Sequence, residues 1–526
     1  MPTELLPPAP PAAPSPAPNA LTPFPPTPAP AAAPTELLPP TAEPEEGAAP
    51  PRSGIVAGIG ALFRRHPRAW LAGGIAAAFA LLGTGSLLGG AAYGAATAAE
   101  PTVVSDALTV DPRTAPGELL DPAALPTCSI TPLTAGAGLG TLRGTVIDAT
   151  TGATIWSREG ATGSRPNHLV RLATGIAALS VLGGDARIST TVNDGSLPGS
   201  IVLTARGDAT LSAMPPGTDS VYSGAPKLAD LAQQTIAAYN AAHPGVPIET
   251  LVLDTSYWSA DPRPQGWPSN TLDSGQASLI TPLQVDGDRG DPTRLSSPRG
   301  DDPIGDAASD FVAALRAADP GGVVGADVAI TSGSALGSAP VLGTVQSRPV
   351  STLVDQMLDL GDNTLAEMLG RLVAIQSGFD GSSASVGKAL VSALAVAGVP
   401  TTGMTLVDAS GLSSDDVMPT DAIAGLLAVI RTGEAPRDQV RDALGVAGQS
   451  GSLADRGAGT VLSGNLHGAA SSLNNGSSIA GYLTAADGTE LVVAFAAHDA
   501  VDDSTAGSLD ALVAGVATCG SNLAQV

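Results

Sequence analysis

Thr141-Leu-Arg-Gly-Thr-Val-Ile-Asp148, a Thr-Thr-Gly turn, and Ala153-Thr-Ile-Trp-Ser157 decide how the folded part of this chain begins. Alternating apolar positions on either side of a turn read as a β-hairpin. A second hairpin is expected near the other end, from Ser478–Thr484 and Glu490–Ala497 joined by Ala485-Ala486-Asp487-Gly488. Helical spacing of apolar residues lies between them, at Leu169–Leu182, Lys227–Ala242, Asp306–Ala318, Ser351–Gln376 and Ser385–Ala397. Further strands are read at Ile201–Ala205 and Thr250–Leu253. A hairpin at each end with helices between predicts an α/β (α+β) fold in which one sheet is built from both chain ends and covered by helices.

Outward from this region the composition changes. Residues 1–51 are a Pro/Ala tract that repeats PTELLPP at Pro2–Pro8 and Pro34–Pro40. Such a segment buries no core, and 1–68 reads as a disordered tail. Arg64-Arg65-His66-Pro67-Arg68 then precedes 31 residues, Ala69–Ala99, without a charge. A bilayer needs about 20 apolar residues, so 69–92 reads as a transmembrane anchor. The arginines before it place the tail in the cytoplasm and the bulk of the chain outside. A removable signal peptide ending at Ala96-Thr97-Ala98 is the rival reading, against which the long leader argues. Residues 93–140 are Pro-rich and read as an extracytoplasmic stalk.

The 526 residues carry 49 acidic and 24 basic side chains, a formal charge of −25, which excludes nucleic acid as a partner. Lysine occurs only at Lys227 and Lys388. The two cysteines, Cys128 and Cys519, flank the folded part. They would pair in an oxidising compartment and remain thiols in cytosol.

The phrases Val146-Ile-Asp-Ala-Thr-Thr-Gly152 and Trp156-Ser157-Arg158 resemble the hairpin before the nucleophile helix of D-alanyl-D-alanine carboxypeptidase/endopeptidases, the low-molecular-mass class C penicillin-binding group. Arg206–Leu211, Pro226–Leu231, Thr281–Arg289, Asp362-Asn363 with Ala366-Glu367, Asp408–Ser413, Gly451–Arg456 and Ala480–Tyr482 follow in the order of that family. The resemblance covers about residues 141–522. It implies a β-lactamase/transpeptidase-like domain from 141–190 plus 341–526, with an inserted domain at 190–340.

Active members use S-x-x-K, S-x-N and K-T-G. Serine and lysine three apart share one helix face, so the amine can activate the hydroxyl. Here Pro166-Asn167-His168-Leu169-Val170-Arg171-Leu172-Ala173-Thr174 registers without a gap, putting His168 in the nucleophile position and Arg171 in the lysine position. An arginine stays protonated and is no base near neutral pH. The second motif reads Gly361-Asp362-Asn363 and the third Ala469-Ala470-Ser471. By this resemblance no catalytic motif is intact. Ser385-Val-Gly-Lys388 matches S-x-x-K literally and Arg431-Thr432-Gly433 is a permissible K-T-G variant, but the first reverses the family order and the second ends an apolar helical stretch where a strand is required.

No cofactor is expected. His168 and His467 with Asp362 can be imagined around a metal, but no further ligand declares itself and no metal site is assigned. His243 and His498 read as helix-end and strand-end residues, and Trp156 and Trp267 as packing. The leading expectation is a non-catalytic relative that binds peptidoglycan stem peptides or cell-wall enzymes. Two alternatives stand beside it: a hydrolase rearranged around His168 and Ser471 or Ser472, and an anchor for a partner-binding Pro-rich tail.

Overall fold

The computed structural model describes residues 126–136, 138–258, 261–473 and 476–525. The tail, the 69–92 span and the stalk up to residue 125 lie outside the described residues. Among the described residues no helix is long and apolar enough to cross a membrane.

The first hairpin forms from β1 (Thr141–Asp148) and β2 (Thr154–Arg158). Asp148 shapes its turn by accepting the amides of Thr150 and Thr151 at 2.8 and 2.7 Å, the side-chain mimicry of a turn that favours aspartate there. After β3 (Gly163–Ser164), a 3₁₀ turn at Asn167–Leu169 leads into α1 (Val170–Val181). Val170 to Leu179 are all buried, as expected of a helix apolar on every side and surrounded by others.

A second sheet follows. Its elements are β4 (Ser189–Asp194), β5 (Ser200–Thr204), α2 (Leu228–Ala242), β6 (Ile248–Asp254), α3 (Pro303–Ala317), β7 (Val324–Ser332) and β8 (Val341–Gln346). The strand order is β7-β6-β5-β4-β8, with β5, β6 and β7 parallel and β4 antiparallel to both neighbours. Ile201, Leu203 and Leu251 bury against Leu231 and Phe311 of the two helices. The intervening Trp258, Trp267 and Ile280 leave this core and pack into the one around α1.

One helix expected over Ser351–Gln376 is two, α4 (Val350–Leu360) and α5 (Asn363–Gln376). Gly361 adopts φ 65°, a left-handed conformation that ends α4, and Asp362 caps α5 by accepting the Leu365 amide at 3.0 Å. Apolar periodicity continues across the break, which is why the sequence hides it. The chain continues through α6 (Ser383–Val396), β9 (Met418–Pro419), α7 (Thr420–Thr432), α8 (Asp438–Asp442), β10 (Gly445–Val446), β11 (His467–Leu473), β12 (Gly476–Thr484), β13 (Glu490–His498) and α9 (Thr505–Cys519).

The main sheet is antiparallel in the order β10-β11-β12-β13-β1-β2, so the two chain ends meet at its centre, with Val146 opposite Val493. Alternation then assigns two faces. Val146, Val493 and Phe495 bury with Leu509, Leu512 and Val516 of α9, while Ile147, Val492 and Ala494 bury with α1, α5 and α7. Strands β4, β7 and β8 carry weak signals: β7 is a largely exposed edge, and β8 is six residues long with a glycine inside.

Cys128 and Cys519 are bonded, their Cα atoms 5.5 Å apart across 391 residues of sequence. Backbone bonds from the Cys128 amide to the Asn522 carbonyl, and from the Ala524 amide to the Cys128 carbonyl, clamp the two ends together. Replacing both cysteines by alanine is expected to cost about 2–5 kcal/mol, because the unfolded chain regains the freedom that the cross-link removes. A denaturant titration of the variant against the oxidised parent measures it.

Candidate active site

The three motif positions converge. His168 lies on the 3₁₀ turn and Arg171 in the first turn of α1; Gly361, Asp362 and Asn363 form the α4–α5 junction; Ala469, Ala470 and Ser471 lie on β11. His168, Arg171, Ala469 and Ala470 line one cavity together with Leu444 and Ser452. It holds about 20 Å³, room for little more than one water molecule.

Arg171 joins the first two motifs. Its Nη1 donates to the Gly361 carbonyl and to Asn363 Oδ1, both at 2.8 Å. Burial lowers its pKa to about 10, and Asp362 and Asp408 pull the other way, so the guanidinium is charged at neutral pH. The His168 imidazole is the reverse case. Burial, reinforced by the positive charge of Arg171, holds its pKa well below the usual histidine range, so it is neutral. Its Nε2 is buried and has no hydrogen-bond partner among the described residues. Two backbone donors beside the cavity are capped by hydroxyls of the chain itself: the His168 amide points to Ser471 Oγ at 3.4 Å, and the Ala470 amide donates to Ser452 Oγ at 3.0 Å.

Below this turn the phrase Asp408–Ser413 acts as a plinth. Asp408 accepts the amides of Ser410, Gly411 and Ser413 and the Trp267 indole N–H at 2.7–3.1 Å. Thr174 of α1 donates to the Ala409 carbonyl at 2.6 Å. Gly411, at φ 79°, lies so close that a Cβ there would stand 1.9 Å from the Asn167 carbonyl oxygen.

Buried charges dominate the surroundings, several of them on residues, such as Arg289, Arg299 and Asp416, to which the sequence assigns no role. Asp362 is gripped by Arg289 Nη2 at 2.5 Å and by the Tyr222 hydroxyl at 2.8 Å, all of them buried. Burial alone would raise its pKa, but Arg289 and Arg299 hold it at about 2. Arg289 also lies over the Tyr222 ring, 4.9 Å from its centroid. Nothing in linear spacing signals this, since Arg289 and Asp362 are 73 residues apart. Glu367 and Asp416 are buried close to Asp408, each with one oxygen unpartnered among the described residues. Burial and the charge of Asp408 raise both pKa values.

Other candidates lie elsewhere. His467 stacks on Tyr482, ring centroids 6.1 Å apart, and lines a different cavity with Arg431 and Glu490. Asp362 is held by Arg289, so the imagined trio of His168, His467 and Asp362 does not assemble; among the described residues no three His, Cys, Asp or Glu side chains are placed to hold a metal. His498 bridges Arg143 and Asp499, and His243 meets Asp194 at 2.7 Å. Ser385 is buried in α6 with its hydroxyl on the Ser382 carbonyl, whereas Lys388 is exposed. Arg431 ends α7 and donates to the Ala149 carbonyl, and Lys227 donates to the Thr218 carbonyl. None of them lines the His168 cavity.

Two outcomes follow from these burials. Asp362→Asn keeps an acceptor for the helix cap but strands Arg289, and is expected to cost about 3–5 kcal/mol. Adding Arg289→Leu should cost less than the sum of the two single changes in a denaturant titration. Glu367 is protonated in the folded chain and ionised in the unfolded one at neutral pH. The unfolded chain therefore binds fewer protons, and this stability, complete below about pH 4.5, is lost as pH rises through about 8. Thermal midpoints measured from pH 5 to 8 should fall, and fall less steeply in Glu367→Gln.

Comparison with known proteins bears on the family and the fold. A family model described as the D-Ala-D-Ala carboxypeptidase 3 (S13) family matches residues 133–311 and 295–517. The carboxypeptidase DacB of Mycolicibacterium smegmatis is 33% identical over 423 residues, covering 78% of this chain and 88% of that protein. The D-alanyl-D-alanine carboxypeptidase of an Actinomadura species is 28% identical over 412 residues, 65% of this chain and 75% of that protein. Penicillin binding protein 4 of Haemophilus influenzae superposes with a TM-score of 0.60 at 18% identity, over 73% of this chain and 97% of that one, and so shares the fold. Matched from residue 133 to 517 and closely related over most of its length, the chain belongs to the D-Ala-D-Ala carboxypeptidase 3 (S13) family.

Proposed function

We propose that this member of the family is non-catalytic and serves cell-wall assembly by binding, scaffolding or regulation, with peptidoglycan stem peptides or cell-wall enzymes as partners. The observation that carries the reading is Arg171. Where a base would activate a nucleophile stands a buried, charged guanidinium pinned to Gly361 and Asn363, beside a histidine and a cavity of about 20 Å³. A guanidinium cannot take a proton. Stabilising a developing oxyanion requires free donors at the cavity, and the amides of His168 and Ala470 are both engaged.

In this reading residues 69–92 hold the chain in the cell membrane with the Pro-rich tail inside and the folded part outside, and 190–340 is an inserted domain. A disulfide between Cys128 and Cys519 fits an oxidising, extracytoplasmic setting. The rearranged-hydrolase alternative needs a hydroxyl bonded to its base. Among the described residues His168 Nε2 has no such partner, and Ser472 is paired with Ser477 at 2.9 Å.

Full-length protein incubated with a fluorescent penicillin is expected to remain unlabelled, and to release no D-alanine from a pentapeptide mimic above the uncatalysed rate. Labelling of a cleft residue, or release that disappears in His168→Ala, overturns the proposal.

A further inference from the structure

We propose that Asp288 and Asp306 hold a hydrated divalent cation at the start of α3, beside the turn that carries Arg289 to Asp362. Asp288 is 9% exposed, and its Oδ2 is buried with no hydrogen-bond partner among the described residues. A buried charge is stable only when it is paired or hydrogen-bonded. The backbone that presents this carboxylate is fixed: the Gly287 amide donates to the Ala209 carbonyl and the Asp288 amide to the Val285 carbonyl, both at 2.8 Å. Asp306 supplies the second ligand. It lies in the first turn of α3, exposed to solvent, and its carboxylate has no hydrogen bond or ion pair among the described residues. A Cβ built on Gly300 would stand 2.9 Å from Asp306 Oδ2 and 3.2 and 3.4 Å from the two carboxylate oxygens of Asp288, so both side chains face one space above the Gly300 Cα.

The surrounding charges do not compensate the pair. Burial first, then the charge of Asp306, works against the ionised form of Asp288, and Arg299 and the Gly300 amide oppose them only in part. The Arg299 Nη atoms are spent on the carbonyls of Gly287 and Gly275. Asp310, one helical turn beyond Asp306, adds a further negative charge, and like charges at that spacing repel. Asp302 caps α3 through the Gly305 amide at 3.1 Å and is not a ligand. Among the described residues no third carboxylate, histidine or cysteine is placed to complete a cage. Two facing carboxylates open to solvent on one side are the donor set of a hard cation that keeps part of its water shell, as Mg²⁺ does and as weak Ca²⁺ sites do. Such an ion replaces the repulsion of Asp288 and Asp306 by two attractions and ties the Asp286–Arg289 turn to α3.

Mn²⁺ is the probe, because the paramagnetic resonance of the free ion is lost on binding. Titrated into full-length protein stripped with EDTA, in about 0.15 M salt so that long-range surface attraction is screened, it should fill a saturable site with a dissociation constant of about 10⁻⁴–10⁻³ M, and Mg²⁺ or Ca²⁺ should displace it. Gly300→Ala keeps every charge and puts a methyl group between the two carboxylates; it should weaken binding about tenfold or more. Asp306→Asn, an exposed change, should do the same, whereas Asp327→Asn on the exposed edge strand β7 should leave the affinity unchanged. Saturating Mg²⁺ or Ca²⁺ should raise the thermal midpoint of the parent and not that of Asp306→Asn. Absence of saturable binding overturns the proposal. So does equal affinity in the parent, Gly300→Ala and Asp306→Asn, which would assign the ion to the acidic surface at large.

Discussion

The buried ion pair of Asp362 and Arg289 is the constraint on which the cleft depends. Asp362 terminates the break between α4 and α5, caps α5, and receives Arg289 and Tyr222 from two other segments. An ion pair taken out of water is a poor source of net stability but a strict source of geometry, since any arrangement that separates the partners strands a charge. The pair thereby pins the Asp286–Arg289 turn and the Tyr222 segment to the junction carrying Gly361 and Asn363. Arg171 then finds its two acceptors already in place.

From that junction the logic of the cleft is electrostatic. Arg171 and His168 are neighbours, and the positive charge of the first helps to keep the second neutral. Asp408 organises the loop that presses on Asn167, with Glu367 and Asp416 protonated beside it so that three carboxyl groups can share one dry region. A buried arginine such as Arg171 differs from a lysine in kind, not in degree. A lysine amine in such burial can lose its proton and activate a neighbour; a guanidinium remains a fixed cation with a planar set of donors.

Much of this was legible in the chain. The alternation in Thr141–Ser157 and Ser478–Ala497 located the sheet built from both ends, and the ungapped register of Pro166–Thr174 placed His168 and Arg171 where the structure has them, side by side at the start of α1. The α4–α5 break was not legible, because Leu360-Gly361-Asp362-Asn363 interrupts the apolar period for only one turn. Strand β7 was not legible either, because an exposed edge strand has no buried face to impose an alternation.

Local chemistry determined what each residue could do: an arginine cannot be a base, an uncharged stretch can enter a bilayer, and two cysteines can bridge if they meet. Those conclusions follow from side-chain identity and short spacing, which survive without a fold. Only the tertiary structure decided what each residue is free to do. Asp362 is paired with a residue 73 positions away, the His168 imidazole is neutral because of what surrounds it, and Arg171 donates to Gly361 and Asn363 on a distant helix junction. Burial, partner choice and leftover hydrogen-bonding capacity depend on contacts between distant segments, and no window of sequence contains them.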